Sequence, residues 1–289
     1  MSSGNPSVLA VHAHPDDESI TMGGTLARYV AEGARVTLVT CTLGEEGEVI
    51  GPDLAGLVAG AADQLGGYRL WELRRACRAL GITDQRLLGG VGAFRDSGMA
   101  GSSSAAHPNA FVRAGSGGPD HDRAVRELVR VIDEVRPQVV LTYDADGGYG
   151  HPDHITAHQV AMAAAAVSGV PRVLAVVRPE SVAVGLLSDL VVPAGYLAAA
   201  PSDLGYLSGP DRPLLALAVG CYRAQRAAAL AAHRTQVDLI DGGFALSNRI
   251  AQPLADQEFF AVLAGPALPP EPAAEGRQPT GGDDLFAGL

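Results

Sequence analysis

The chain has 289 residues, 47% hydrophobic and only 5% aromatic, which suffices for one large core or two small ones built from small side chains. Its formal net charge of -11 disfavours a nucleic-acid or anionic membrane partner, and no Lys/Arg-flanked apolar run opens the chain. The most apolar window, Ala161–Val177, is interrupted by Ser, Gly, Pro and Arg, and the odd set of Cys41, Cys77 and Cys221 argues against a disulfide scaffold, so a reducing cytoplasm is the expected compartment.

In chain order the first half reads βαβα. Val8–His12 is strand-like, Thr25–Glu32 a helix ended by Gly33, and Arg35–Thr42 a second strand, with Cys41 expected as a buried, inert thiol. Asp53–Gly66 and Leu70–Leu80 read as one broken or two consecutive helices closed by Gly81, and Arg86–Leu88 as a third strand. Gly89–Pro119 is rich in Gly, Ser and Ala without a steady period, the character of a lid or binding loop. His121–Val135 is an amphipathic helix ending near Pro137, Val139–Thr142 a strand, Asp153–Ser168 a helix and Arg172–Val177 a strand. Beyond Pro179 the pattern weakens to a strand at Leu186–Val192, a helix at Cys221–Ala232 and a final strand at Gln257–Leu263. Residues 1–265 are expected to form a single domain and residues 266–289 a flexible Pro/Gly-rich tail. Helices alternating with apolar strands predict an α/β fold with a mostly parallel sheet flanked by helices.

Two polar clusters stand out. V-H-A-H-P-D-D-E-S at Val11–Ser19 follows the first apolar strand, and Y-D-A-D-G-G-Y-G-H-P-D-H at Tyr143–His154 follows the run Val139–Thr142. If both runs are parallel strands of one sheet, the clusters converge at its carboxyl edge, where open α/β sheets place ligands. Imidazole and carboxylate together suit a borderline-soft ion such as zinc and leave carboxylates for proton transfer. His12 and His14, two apart in extended backbone, face the same side. One of the adjacent Asp16 and Asp17 can bind a metal while the other addresses a water, and spacing alone does not identify the ligand histidines. His158, one turn after His154, is a further candidate but reads more simply as an amphipathic helix residue. Phosphate-loop, G-x-G-x-x-G and H-E-x-x-H patterns are absent from the sequence.

H-A-H-P-D-D-E-S and G-H-P-D-H resemble the two hallmark motifs of the LmbE-like, or PIG-L, N-acetylglucosamine deacetylase family. Thr40–Gly51 (T-C-T-L-G-E-E-G-E-V-I-G), Asp63–Arg69, Phe94–Gly101 and Ala231–Val237 (A-A-H-R-T-Q-V) are similar to the actinobacterial branch of that family that serves mycothiol biosynthesis. The resemblance covers about residues 8 to 263 and implies a Rossmann-like fold with its active site at the carboxyl edge of the strands. It implies one Zn²⁺ per subunit on His14, Asp17 and His154, with Fe²⁺ or Co²⁺ as substitutes. Asp16 would be the general base, His151 the oxyanion partner, Tyr149 a mobile residue helping polarise the acetyl carbonyl, and Asp153 a residue that orients or tunes His151. Arg69 and Asp96 would bind hydroxyls of a small glucosamine–inositol substrate, with Gly89–Pro119 part of that pocket and His12 outside the ligand set. The implied reaction is hydrolysis of the N-acetyl group to acetate and free amine, with no nucleic acid or membrane involved and a homo-oligomer left open. A mycothiol S-conjugate amidase, or a deacetylase of another acetamido sugar, is the alternative; Ile20, Thr21 and Met22 stand where the amidases tend to carry lysine.

Overall fold

The computed structural model describes residues 5–209, 212–268 and 282–289. Strand β1 (Ser7–His12) is buried along its whole length, as a near-continuous apolar run requires when both faces of a sheet are covered. It lies between β2 (Arg35–Thr40) and β4 (Val139–Thr142), parallel to both, with Val8 level with Val36 and Val139. Strand β3 (Asp84–Leu87) extends the sheet beyond β2, and β5 (Arg172–Pro179) lies beyond β4; these pairings are also parallel.

Helix α1 (Asp17–Ala31) begins at Asp17, well before the predicted start at Thr25. The reason is a break at Met22 (φ -144°), after which the helix restarts with a cap from far along the chain. The Glu258 carboxylate accepts hydrogen bonds from Gly24 N (3.0 Å) and Thr25 N (2.7 Å), satisfying donors that a second helix start leaves open. The predicted helix at Asp53–Gly66 is a correction: only a single 3-10 turn, Ala55–Leu57, forms there. That turn buries nothing, so no apolar face repays the ordering of a helix. Helix α2 (Leu65–Leu80) follows and ends at Gly81 in the left-handed conformation, as its sequence predicts. Gly89–Pro119 contains 3-10 turns at Ser103–Ala106 and Phe111–Ala114 and packs into the main core through Phe94 and Phe111, edge to face at 5.3 Å.

Helix α3 (His121–Val135) leads into β4, and α4 (Pro152–Ser168) into β5. Where a strand was expected at Leu186–Val192, the structure has α5 (Glu180–Asp189) followed by an exposed connection. Short apolar runs do not separate helix ends from strands by periodicity alone. Further along come β6 (Leu197–Ala198), β7 (Leu207–Ser208) and β8 (Leu214–Ala218), then a 3-10 turn at Gly220–Tyr222 and α6 (Arg223–Ala232). Strands β9 (Asp238–Ile240), β10 (Gly243–Ala245) and β11 (Ile250–Pro253) form, with β6, a small sheet in the order β6-β11-β10-β9. Strand β12 (Gln257–Ala264) returns to the main sheet between β5 and β8, antiparallel to both. The main sheet therefore runs β3-β2-β1-β4-β5-β12-β8, with β7 paired to β5, and is parallel over its first five strands.

The expected tail falls partly on residues 269–281, outside the described residues. Its last eight positions do not hang free: Leu285 is fully buried, its N–H donates to Tyr29 Oη at 2.7 Å, and its carbonyl accepts from Arg172 Nη1 at 2.8 Å. Phe286 adds an edge-on contact to the Tyr29 ring at 5.5 Å, so two adjacent apolar side chains dock the segment. Replacing Leu285 with alanine is expected to cost roughly 2–5 kcal/mol, read as a lower urea midpoint; an unchanged midpoint would contradict the docking.

Candidate active site

The carboxyl ends of β1 and β4 bring the two polar clusters together, and the loops after β2 and β3 close around them. His14, Asp16, Asp17, Asp96, His151, Asp153 and His154 are all buried. Charges at such depth must be paired or hydrogen-bonded, and the pairing dictates the geometry.

His14 has two distinct sides. Its Nδ1 stands 3.4 Å from Asp17 Oδ2 and 3.3 Å from His154 Nε2, while His154 Nε2 stands 3.4 Å from Asp17 Oδ1. Its Nε2 faces the other way, 3.3 Å from Asp153 Oδ2 and 3.5 Å from Asp96 Oδ1. Carboxylates only accept, so the two on the Nε2 side keep a proton there, and Nδ1, which faces the Asp17 carboxylate, offers a lone pair once a cation replaces its proton. His154 is fixed likewise: its Nδ1 lies 3.1 Å from the Gly147 carbonyl, which leaves Nε2 free. Donors at tetrahedral corners about 2.0–2.2 Å from a cation stand roughly 3.3–3.6 Å apart. The 3.3 Å between the two imidazole nitrogens fits, and Asp17 meets each ring through a different oxygen. Two further groups able to hold a metal ion share His14: His14 with His151 and His154, and His14 with Asp96 and Asp153.

Burial alone would lower His14 and raise Asp17, but pairing outweighs it. Asp96, Asp153 and Asp17 hold the His14 imidazole well above its ordinary value, and His154 and His14 hold Asp17 well below its own. Asp16 goes the other way. Burial pushes its carboxyl up to about 6, against the pull of the Arg69 guanidinium and with help from Asp17.

The adjacent aspartates separate because Asp16 takes a backbone conformation rare for a non-glycine residue, with φ 122°. Such a conformation costs about 1–3 kcal/mol and persists only where surroundings impose it. Asp17 turns to the two histidines; Asp16 Oδ2 lies 3.2 Å from Arg69 Nη2. Arg69 also donates to the carbonyls of Gly44 (2.7 Å) and Pro15 (2.5 Å), so this predicted sugar-binding group is partly engaged in bracing Asp16 and its loop. Asp96 accepts from Gly98 N (2.8 Å) and Glu46 N (3.2 Å) beside His14.

His151 caps α4 and accepts from the Asp153 N–H at 3.1 Å through Nδ1, so its neutral ring offers Nε2–H as a donor. Burial, then His14 and His154, push it down to about 3. Asp153, expected to orient or tune His151, meets that ring through its backbone N–H. The Asp153 carboxylate turns to His14 and to Ser97 N (2.9 Å), because a buried anion follows the strongest available donors. Tyr149 is half exposed, edge-on to His154 at 4.9 Å, with its hydroxyl 3.5 Å from His154 Nε2. Gly148, preceding it, has φ 84°, and a Cβ there would lie 2.1 Å from the Tyr206 ring. His12 lies outside the cluster, edge-on to Tyr143 at 5.5 Å, and burial lowers it to about 4. His158 is engaged by the Tyr143 carbonyl at 2.8 Å, in keeping with its simpler reading.

Tyr143 is the group that sequence reasoning passed over. Its hydroxyl accepts from Ala13 N (2.8 Å) and donates to Asp17 Oδ2 (2.7 Å), and its ring stacks on His154 at 4.2 Å. The only signal was an aromatic residue between the strand and the aspartates. Tyr143→Phe leaves the Ala13 N–H without its acceptor and is expected to lower metal-free stability by about 1–3 kcal/mol in chemical denaturation. Unaltered stability would remove Tyr143 from the frame of the site.

The sequence profile of GlcNAc-PI de-N-acetylase, the PIG-L family, matches residues 9–165. A 1D-myo-inositol 2-acetamido-2-deoxy-alpha-D-glucopyranoside deacetylase of Nakamurella multipartita is 61% identical over 268 residues, covering 92% of each chain. A protein of the same name from Saccharomonospora viridis is 50% identical over 284 residues, 98% of this chain and all (100%) of that one. Among solved structures, the zinc inhibited form of teicoplanin deacetylase superposes with a TM-score of 0.55 at 18% identity, covering 89% of this chain and 98% of that one. A 4-carboxy-2-hydroxymuconate hydratase of Pseudomonas putida also reaches 0.55, at 19% identity with coverages of 93% and 100%. Those two likenesses concern the fold alone, which serves more than one chemistry. By profile match and by high identity over nearly its full length, this chain belongs to the PIG-L family of de-N-acetylases, hydrolytic enzymes acting on N-acetyl sugars.

Proposed function

We propose that the protein removes the N-acetyl group from 1D-myo-inositol 2-acetamido-2-deoxy-alpha-D-glucopyranoside, giving acetate and the free amine for mycothiol biosynthesis. The single observation that carries the chemistry is the separation of adjacent carboxylates: Asp17 faces two imidazoles while Asp16, at φ 122°, stands apart from them. A binding protein needs ligands but no second carboxylate held apart at the expense of backbone strain.

In this reading His14 Nδ1, Asp17 and His154 Nε2 hold one zinc ion, and a set of three protein donors, two nitrogens and one oxygen, suits a catalytic zinc. When bound, the cation supplies Lewis acidity and lowers the pKa of water towards neutrality. Asp16 accepts the proton of the attacking water, and that proton is the one the departing amine needs. His151 Nε2–H donates to the oxyanion that develops on the acetyl carbonyl, a role that commonly lowers barriers by several kcal/mol. Tyr149, half exposed in its glycine-flanked loop, closes on the same oxygen. Asp153 secures the His14 tautomer through Nε2, which matters because ligand orientation sets metal affinity. Arg69, beside Asp16, and Asp96, beside His14, would meet the sugar hydroxyls.

No helix among the described residues is long and apolar enough to cross a membrane. The three cysteines are free thiols, two of them buried, which fits a cytoplasmic enzyme with a small neutral sugar substrate.

Asp16→Ala is expected to slow acetate release from the pseudodisaccharide by about 10²–10⁴-fold, with metal content unchanged by elemental analysis. Full turnover in that variant would assign the base elsewhere. Chelation is expected to abolish acetate release, and stoichiometric zinc to restore it. Activity that survives complete metal removal would exclude the metal-assisted mechanism.

A further inference from the structure

The Asp16 backbone needs a restraint, and the structure shows what supplies it. Glu18, two residues on, turns its carboxylate back: Oε2 accepts from Asp16 N at 3.0 Å. Its other oxygen accepts from Ser19 Oγ at 2.6 Å and faces His233 Nε2 at 2.7 Å. Glu18 and His233 are both fully buried, so this pair cannot be exchanged for water. An acidic residue in a first helical turn ordinarily needs no such partner, since the helix dipole alone favours it.

His233 is itself held from several directions. It closes α6, with its N–H donated to the Leu230 carbonyl at 3.0 Å. The following Thr235 clasps Glu72 of α2 through N (2.8 Å) and Oγ1 (2.7 Å). Thr235 O accepts from Ile50 N at 2.8 Å, and Gln236 Nε2 donates to the Glu48 carbonyl at 3.0 Å, tying the same turn to the loop after β2. His233 Nδ1 has no partner among the described residues, so the Glu18 contact is the one polar use of its ring. The chain of contacts ends at one backbone N–H, that of the residue whose φ is 122°.

We propose that Glu18 and His233 are positioning residues for Asp16: Glu18 holds the Asp16 backbone in its left-handed conformation, and His233 fixes the Glu18 carboxylate. The proposal rests on the reading of Asp16 as the base. It assigns a role to the last acidic residue of the first motif and to the A-A-H-R-T-Q-V block, which sequence reasoning left without one. Without the Glu18 acceptor, the Asp16 backbone relaxes and its carboxylate leaves the place beside Arg69. Among the described residues none of the His14, Asp17 and His154 side chains hydrogen-bonds to Glu18 or His233, and Asp153, Tyr143 and the Gly147 carbonyl hold them instead, so the metal is expected to be retained.

The test compares zinc-loaded wild type with Glu18→Ala, Glu18→Gln and His233→Ala, by crystal structure, metal content and steady-state acetate release. In Glu18→Ala, Asp16 is expected to leave positive φ at full metal content, and kcat to fall about 100-fold with KM within about threefold. Glu18→Gln, whose amide oxygen still accepts from Asp16 N, is expected to recover most of the loss. In an Asp16→Ala background, Glu18→Ala is expected to add nothing, because its effect runs through Asp16. An Asp16 that keeps φ near 122° in Glu18→Ala, or losses that add in the double variant, would overturn the proposal. Should Glu18→Ala fail to fold, the Glu18→Gln and His233→Ala structures decide: Asp16 is expected unmoved in the first and shifted in the second, and the reverse overturns the assignment. A wild type that releases no acetate would refute the deacetylase reading instead, and the Asp16 conformations in the variants would still judge the restraint.

Discussion

The site is organised by the two-sidedness of one buried imidazole. His14 cannot sit at the sheet edge unless both ring nitrogens are satisfied, and the chain meets each with a carboxylate, adding a second imidazole on one side only. Carboxylates on the Nε2 side accept its proton, and the Nδ1 side opens to Asp17 and His154. With a proton held at Nε2, the lone pair such a ring can give a cation is the one at Nδ1. The placement of Asp153, Ser97 and Asp96 follows from the same constraint, as does the need for a loop after β3 that reaches back over the site.

The fold supplies that constraint cheaply because parallel strands end at one edge. The motif after β1 and the motif after β4 come together since β4 is the direct neighbour of β1, although 126 residues separate Tyr143 from Asp17. The far half of the chain contributes as well. Glu258 of β12 recaps α1 after its break at Met22, and Arg226 of α6 donates to the Ser19 and Ile20 carbonyls at 3.2 and 2.5 Å. The first turn of α1, which carries Asp17 and Glu18, is therefore held from beyond residue 220, and the pieces after β5 are part of what shapes the site.

Much of this was legible in the sequence where local chemistry and pattern agreed. Apolar runs of β1, β2 and β4, the glycine at the end of α2, and both H-P-D motifs carry their meaning within a few residues. What escaped depends on partners far away in sequence. The first turn of α1 was hidden because the helix breaks at Met22 and restarts near the expected Thr25 on a cap from Glu258, and the helix expected at Asp53–Gly66 had no face to bury. The small sheet β6-β11-β10-β9 is built of strands of two to four residues, too short for periodicity to register. At the site, the resemblance named Asp153 as a partner of His151, whereas burial turned its carboxylate to His14. Tyr143 and His233 carry no motif chemistry of their own; their parts emerge only from what lies within hydrogen-bond reach.

Anomalous diffraction at the zinc edge from crystals of the zinc-loaded protein tests the central claim most directly. The account expects a single peak on the Nδ1 side of His14, at bonding distance from His14, Asp17 and His154, with the Asp153 carboxylate still against Nε2. A principal peak on the Nε2 side, among His14, Asp96 and Asp153, would contradict it, because the ring would then be turned to the metal by the face assigned here to its carboxylate support.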